Sequence, residues 1–155
     1  MDNSADSSTR AWATPMPAVA ALLVGGAALL LCAILVSTDA AGRTIMAIAG
    51  AMLLGFGAYA ALIRPRLSVT SGPSPTLTIR RIGGEITLTP AEVERIRILS
   101  MRRIGRRSGQ LEIDYGPADS EPKLIVFSRW DLGADLLDVV DALADAGYPV
   151  EDSPR

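Results

Sequence analysis

Two long apolar stretches dominate the hydropathy pattern near the start of the chain, and short alternating stretches follow them. The first, MPAVAALLVGGAALLLCAILV, covers residues 16–36 without a charge, and the second, TIMAIAGAMLLGFGAYAALI, covers 44–63. A helix needs about 20 apolar residues to cross a hydrocarbon core roughly 30 Å thick. Both runs meet that length, and both are apolar on every face, unlike the one-sided stripe of a helix packed on a soluble core. The pattern therefore predicts two transmembrane helices. A cleaved leader for the first run would require a basic segment ahead of a shorter apolar core. Here the preceding MDNSADSSTR carries two Asp and one Arg.

Between the runs, Asp39-Ala-Ala-Gly-Arg43 holds the only charged residues between Arg10 and Arg64. This five-residue link predicts an antiparallel hairpin over 15–63, with Gly42 permitting a tight reversal. Gly25, Gly26, Gly50, Gly55 and Gly57 permit close approach of the two backbones. Neither span contains a carboxylate or a base, which favours an anchor over a transport path. The hairpin is also a candidate surface for homo-oligomer formation. Arg64 and Arg66 follow the second span directly, so the positive-inside rule places that flank in the cytoplasm. The expectation is a two-span protein of the cell membrane with both termini cytoplasmic.

Residues 1–14 are polar, small and aperiodic, and are expected to be disordered; the same holds for 150–155. From residue 64 to 149 the period shortens to two. Residues 66–70, 76–80, 85–89, 93–99, 110–115 and 123–128 each alternate or are rich in β-formers, with SGPSP, Gly83-Gly84 and the 116–122 stretch as turns. Thr89-Pro90-Ala91-Glu92 predicts a single capped helical turn. MRRIGRRSG at 101–109 reads as a basic loop. After residue 134 the period lengthens again. Asp135 suits a helix cap, Leu136, Val139, Val140 and Leu143 form one apolar face, and Gly147 and Pro149 close the element. The fold predicted is a transmembrane hairpin followed by a small, mainly-β domain. That domain has six to seven antiparallel strands in bent sheets or an open barrel, closed by one C-terminal helix.

Four segments add a family likeness: RPRLSVT at 64–70, LTIRRI at 77–82, TPAEVERIRI at 89–98 and FSRWDLGADLLDVVDALADAGY at 127–148. Behind two apolar spans, this series resembles the bacterial pleckstrin-homology-like family that includes the actinobacterial low-molecular-weight protein antigen 6 domain. The resemblance covers roughly residues 15–149. It implies a pleckstrin-homology-like fold and carries no catalytic motif.

Charge is distributed unevenly. Ten Arg face five acids over 64–115, whereas three bases face nine acids over 116–155, and the whole chain has net charge −2. There is no His, and the one Cys, Cys32, lies within the first span. Cys/His metal sites and the commonest acid–base residue are thereby excluded. The acids of the last helix recur every three or four residues on its wet face, as on any solvated helix. The reading is of a non-enzyme with no cofactor and no metal.

Two features remain as candidate sites. Arg102, Arg103, Arg106 and Arg107 gather four guanidinium groups suited to the phosphates of anionic lipid. The cluster is too short, in a chain otherwise acidic, to indicate nucleic acid. Trp130 is either an anchor for a protein partner or, as the stronger expectation, a lid on the end of the core at the strand–helix junction. The leading function is a membrane-anchored, non-catalytic scaffold or protein-interaction module. The alternatives are an anionic-lipid sensor using 102–107 and an accessory subunit of a larger membrane complex.

Overall fold

The computed structural model describes residues 8–103, 106–116 and 123–151, and for 100–103 and 106–108 the backbone alone. The chain forms two compact units, residues 14–64 and a β domain made of the segments on either side of them in the sequence.

The first unit is a pair of helices, α1 (Met16–Leu35) and α2 (Ala40–Leu62). Pro15 and Pro17 flank the start of α1, where a missing N–H costs nothing. The second helix begins four residues earlier than the apolar run. Asp39 caps it by accepting a hydrogen bond from the Gly42 N–H, so Ala40–Arg43 form its first turn rather than a link. The reversal therefore falls on residues 36–39. At the other end of the pair, the Arg64 guanidinium donates to the Thr14 carbonyl.

Contact between the helices runs along a narrow seam. Its buried residues are Val19, Gly26 and Ala33 on α1 and Gly50, Gly57 and Ala60 on α2. The seven-residue spacing of 19, 26 and 33, and of 50 and 57, is that of a coiled-coil seam. Of the five glycines expected to permit close approach, three are needed. A Cβ on Gly26 would lie 2.9 Å from the Gly50 carbonyl oxygen, one on Gly50 would lie 2.8 Å from that of Gly26, and one on Gly57 would lie 2.8 Å from Leu23. Gly25 has only ordinary contact and Gly55 faces open space. Only 17% of the most apolar stretch of each helix is buried. These are two helices long and apolar enough to span a membrane, with most of their apolar surface exposed.

The β domain comprises two antiparallel sheets. One has four strands in the order β1 (Thr9–Trp12), β2 (Leu67–Thr70), β3 (Thr76–Arg81) and β4 (Gly84–Leu88). The other has three, β5 (Val93–Arg103), β6 (Arg106–Tyr115) and β7 (Lys123–Ser128). A 3-10 turn at Pro90–Glu92 joins the sheets, with Glu92 accepting from both the backbone N–H and the hydroxyl of Thr89. After β7 come a one-turn helix, α3 (Arg129–Leu132), and the closing helix, α4 (Leu136–Asp145). Seven strands and a C-terminal helix agree with the expected hairpin-plus-β architecture.

Alternation supplies the core. Leu67, Val69, Leu77 and Ile79 from the first sheet meet Ile96, Leu111, Ile113 and Phe127 from the second, and Leu132, Val139 and Leu143 close it. Burial of these side chains, at about 1.5–3 kcal/mol each, is the main stabilising term. Tyr148 locks the end of the chain down by donating 2.8 Å to the Leu88 carbonyl. Burial and the nearby Glu92 carboxylate push the Tyr148 phenol up to about 12.

Three elements depart from the expectation. Residues 150 and 151, expected to be disordered, pair with β5: Val150 bridges to Ile96, and the Glu151 N–H donates to the Ile96 carbonyl. Residues 9–12 are not disordered: they form β1, which pairs with β2 from Thr9↔Thr70 to Trp12↔Leu67 and brings Trp12 against the core. The basic segment 101–109 is not a loop: β5 and β6 continue through it, and the register runs to Arg103↔Arg106. The long ladder supplies backbone hydrogen bonds that a reading based on side-chain alternation cannot see.

Candidate functional site

The candidate features lie on the surface of the β domain. On the outer face of the three-stranded sheet, Arg95 donates from Nε and a terminal nitrogen to Asp114, at 3.1 and 2.8 Å, and Arg97 Nε donates to Glu112 at 2.9 Å. Both carboxylates are largely buried, and pairing makes that burial tolerable. The hydrogen bond to Asp114 raises the Arg95 pKa further above its already high value. In these pairs each of the two acids is matched by a base on the neighbouring strand. A shallow depression lined by Glu94, Arg95, Pro149, Val150 and Glu151 adjoins them, with Arg95 and Glu151 3.6 Å apart.

The two edges of this sheet differ. At the β5 edge, the Ile96 N–H donates to the Pro149 carbonyl and the Glu151 N–H to the Ile96 carbonyl, so the segment after α4 covers it. The β7 edge has no such cover among the described residues, and its outward side chains are apolar: Leu124 is 53% exposed and Val126 40%. On β4, the corresponding edge of the four-stranded sheet, the exposed residues are Gly84, Glu85 and Thr87.

Register brings the four predicted arginines together. Arg102 lies opposite Arg107 and Arg103 opposite Arg106, as two adjacent rungs at the end of the β5–β6 ribbon. Their side chains, and all of Ile104 and Gly105, lie outside the described residues. β7 ends at Ser128, opposite Gln110. The ribbon therefore continues four residues past it, roughly 13 Å, at the end of the sheet where α3 begins.

Trp130 does not cover the core. It sits on α3 with 58% exposure, and Leu132 fills the core position instead. The fold around it is tight. Ser128 and Asp131 form a capping box, and Gly133 closes the turn at φ +64°, a conformation costly for other residues. Trp130 is thus an exposed aromatic ring on a fixed backbone.

The β3–β4 tip is a feature that the alternation reading passes over. Arg81 pairs with Gly84, so the loop is Ile82-Gly83, and Ile82 is 81% exposed. Arg80 pairs with Glu85 at 3.2 Å, and Arg81 donates to the Tyr115 hydroxyl at 2.9 Å. A signal was present in the sequence: Arg80-Arg81-Ile82-Gly83 recurs as Arg102-Arg103-Ile104-Gly105. Among the described residues, no three acidic or thiol groups gather as a metal site.

Two relatives match this chain over nearly its whole length. Uncharacterized protein Rv0010c of Mycobacterium tuberculosis (strain ATCC 25618 / H37Rv) is 34% identical over 138 residues, covering 89% of this chain and 93% of the relative. Uncharacterized protein MT0013 of Mycobacterium tuberculosis (strain CDC 1551 / Oshkosh) matches with the same identity and coverage. The chain belongs to this mycobacterial protein family. The shared span is long enough to take in both the helical pair and the β domain. No family model matches the sequence, and no solved structure matches it.

Proposed function

We propose that this protein is a two-span membrane protein whose β domain is a non-catalytic, pleckstrin-homology-like interaction module at the cytoplasmic face. One observation carries this reading. The apolar helical pair is inserted between β1 and β2, strands paired directly in one sheet. The chain must leave that sheet and return to it at the same place. Two antiparallel crossings of a bilayer do that, and they put β1 and β2 on one side. Arg64 and Arg66 make that side cytoplasmic. The sheet order, four strands and then three with a closing helix, supports the family resemblance.

The surface suited to a protein partner is β7. An exposed apolar edge strand recruits a strand or an apolar face from another chain, and soluble proteins otherwise guard such edges with charge. A photo-reactive residue in place of Val126, in the full chain in cells, is expected to form a discrete protein adduct. The same probe at Asp138 on α4 is expected to form none. Adducts at neither position would contradict the scaffold reading.

A second reading has its own support in the register of the basic ribbon. That register sets four arginine positions on two adjacent rungs, and anionic headgroups supply about 1 kcal/mol per basic residue. Changing Arg102, Arg103, Arg106 and Arg107 to Ala would then abolish a salt-sensitive preference of the full chain for anionic over neutral vesicles.

A further inference from the structure

The four-stranded sheet is a meander, so its β1–β2 and β3–β4 connections lie at the same end. The chain runs into the helical pair from β1 and returns to β2 there. The register fixes how near the β3–β4 tip is to that point. The Arg66 N–H donates to the Trp12 carbonyl, and the Arg80 N–H donates to the Arg66 carbonyl, so Trp12, Arg66 and Arg80 lie side by side. One residue past Arg80–Arg81 stands Ile82, the most exposed large aliphatic residue of the domain among the described residues.

Another element meets the same end from the second sheet. Arg66 lies 3.6 Å from the Asp131 carboxylate, and its guanidinium carbon lies 6.0 Å from the centroid of the Phe127 ring. These contacts hold α3 beside the start of β2. Trp130, next to Asp131, is therefore exposed at the end of the sheet that also bears Ile82. Two large apolar side chains with no core role, at the one end from which two membrane-length helices depart, call for an apolar surface close by.

We propose that this end of the β domain rests on the bilayer, with Ile82 and Trp130 seated at the headgroup–acyl boundary. Trp is favoured at that depth because its ring is amphipathic. The acids Glu85 and Asp135 partner Arg80 and Arg129, so the patch has little net charge. Its attachment is apolar and resists salt, unlike binding through the arginine ribbon. The proposal rests on the reading that the helical pair spans the membrane. Docking of this kind fixes the orientation of the domain and presents the β7 edge to partners in one direction.

The test uses the full chain with Cys32→Ala and single cysteines at Ile82→Cys, Trp130→Cys or Ser74→Cys. The last is an exposed position in the β2–β3 connection, at the opposite end of the sheet. Each carries a polarity-sensitive fluorophore, and the protein is reconstituted in vesicles containing lipid spin-labelled high on the acyl chain. All three positions are exposed, and circular dichroism verifies that each variant folds. The expected result is blue-shifted, quenched emission at 82 and 130, unchanged in high salt, with aqueous emission at 74. Protein that floats with the vesicles but shows aqueous emission at 82 and 130, or equal quenching at all three, overturns the docking and leaves the anchor standing. Protein that does not float overturns the anchor, and the docking with it.

Discussion

The two units of this protein are held together by opposite means. The helical pair meets along a seam of mostly small residues in which Gly26 and Gly50 admit backbone against backbone and Gly57 admits the Leu23 side chain, and most of its apolar surface is exposed. The β domain buries large aliphatic and aromatic side chains from two sheets and a helix and leaves few of them outside. In water, burying apolar area is what drives folding, so a soluble unit gathers its large residues inward. In lipid that drive vanishes between helices, and close packing of small residues takes its place. The β domain has the first kind of packing and the helical pair the second.

This contrast breaks most visibly in the β core. Phe127→Ala removes a fully buried ring at the centre of the domain. It is expected to cost about 3–5 kcal/mol. In detergent, denaturation followed by tryptophan fluorescence should shift sharply, while the far-ultraviolet helix signal from the hairpin persists. Concerted loss of both signals would mean that the units do not fold separately.

The converse change is Gly50→Leu. It drives a side chain into the Gly26 carbonyl and Leu30. Helix–helix proximity, read by disulfide trapping of cysteines placed across the seam, should be lost. The denaturation midpoint of the β domain should stay within roughly 0.5 kcal/mol. Gly55→Leu, which meets open space, should leave both unchanged.

Tyr148→Phe sharpens the account of the domain's closure. It leaves the Leu88 carbonyl without its donor. The expected cost is about 1 kcal/mol. The phenol is raised from 10.0 to about 12 in the folded state. Folding therefore favours the protonated form: the contribution is complete below pH 10 and is lost as pH rises towards 12. The wild-type domain should lose stability over that window, as followed by urea denaturation at a series of pH values, and Tyr148→Phe should lose less.

The smallest effect is that of Glu92. Its hydrogen bonds from the Thr89 backbone and hydroxyl lower its pKa from 4.5. The stabilisation is present above that value and is lost as pH falls below it. Glu92→Gln should flatten this part of the acid limb and leave the pH 7 stability close to that of wild type.

The sequence made most of this architecture legible, and for physical reasons. Unbroken apolar runs identify helices long and apolar enough to span a membrane, and alternation identifies strands with one wet face. The strand Lys123–Ser128 and the caps at Asp135 and Gly147 were readable because their determinants are local. β1 was not, because its sole large apolar residue, Trp12, gains a partner only across the whole helical insertion. The arginine ribbon was hidden because like charges face each other across its rungs, a pattern that argues against pairing. Trp130 was misplaced because a four-residue helix has too little periodicity to separate its inner face, held by Leu132, from its outer one. The Ile82 tip is marked in the sequence only by a repeat, Arg-Arg-Ile-Gly at 80–83 and again at 102–105, and not by alternation.

The central claim is that the chain leaves one sheet, crosses the membrane twice and returns to the same sheet on the cytoplasmic side. Single cysteines at Ser8, Thr38 and Thr87, each with Cys32→Ala, test it directly when intact spheroplasts are treated with a membrane-impermeant maleimide. The account predicts labelling at Thr38→Cys from outside, and labelling at Ser8→Cys and Thr87→Cys only after permeabilisation. Labelling of Ser8→Cys and Thr87→Cys from opposite sides would contradict it, because β1 and β2 could not then share a sheet.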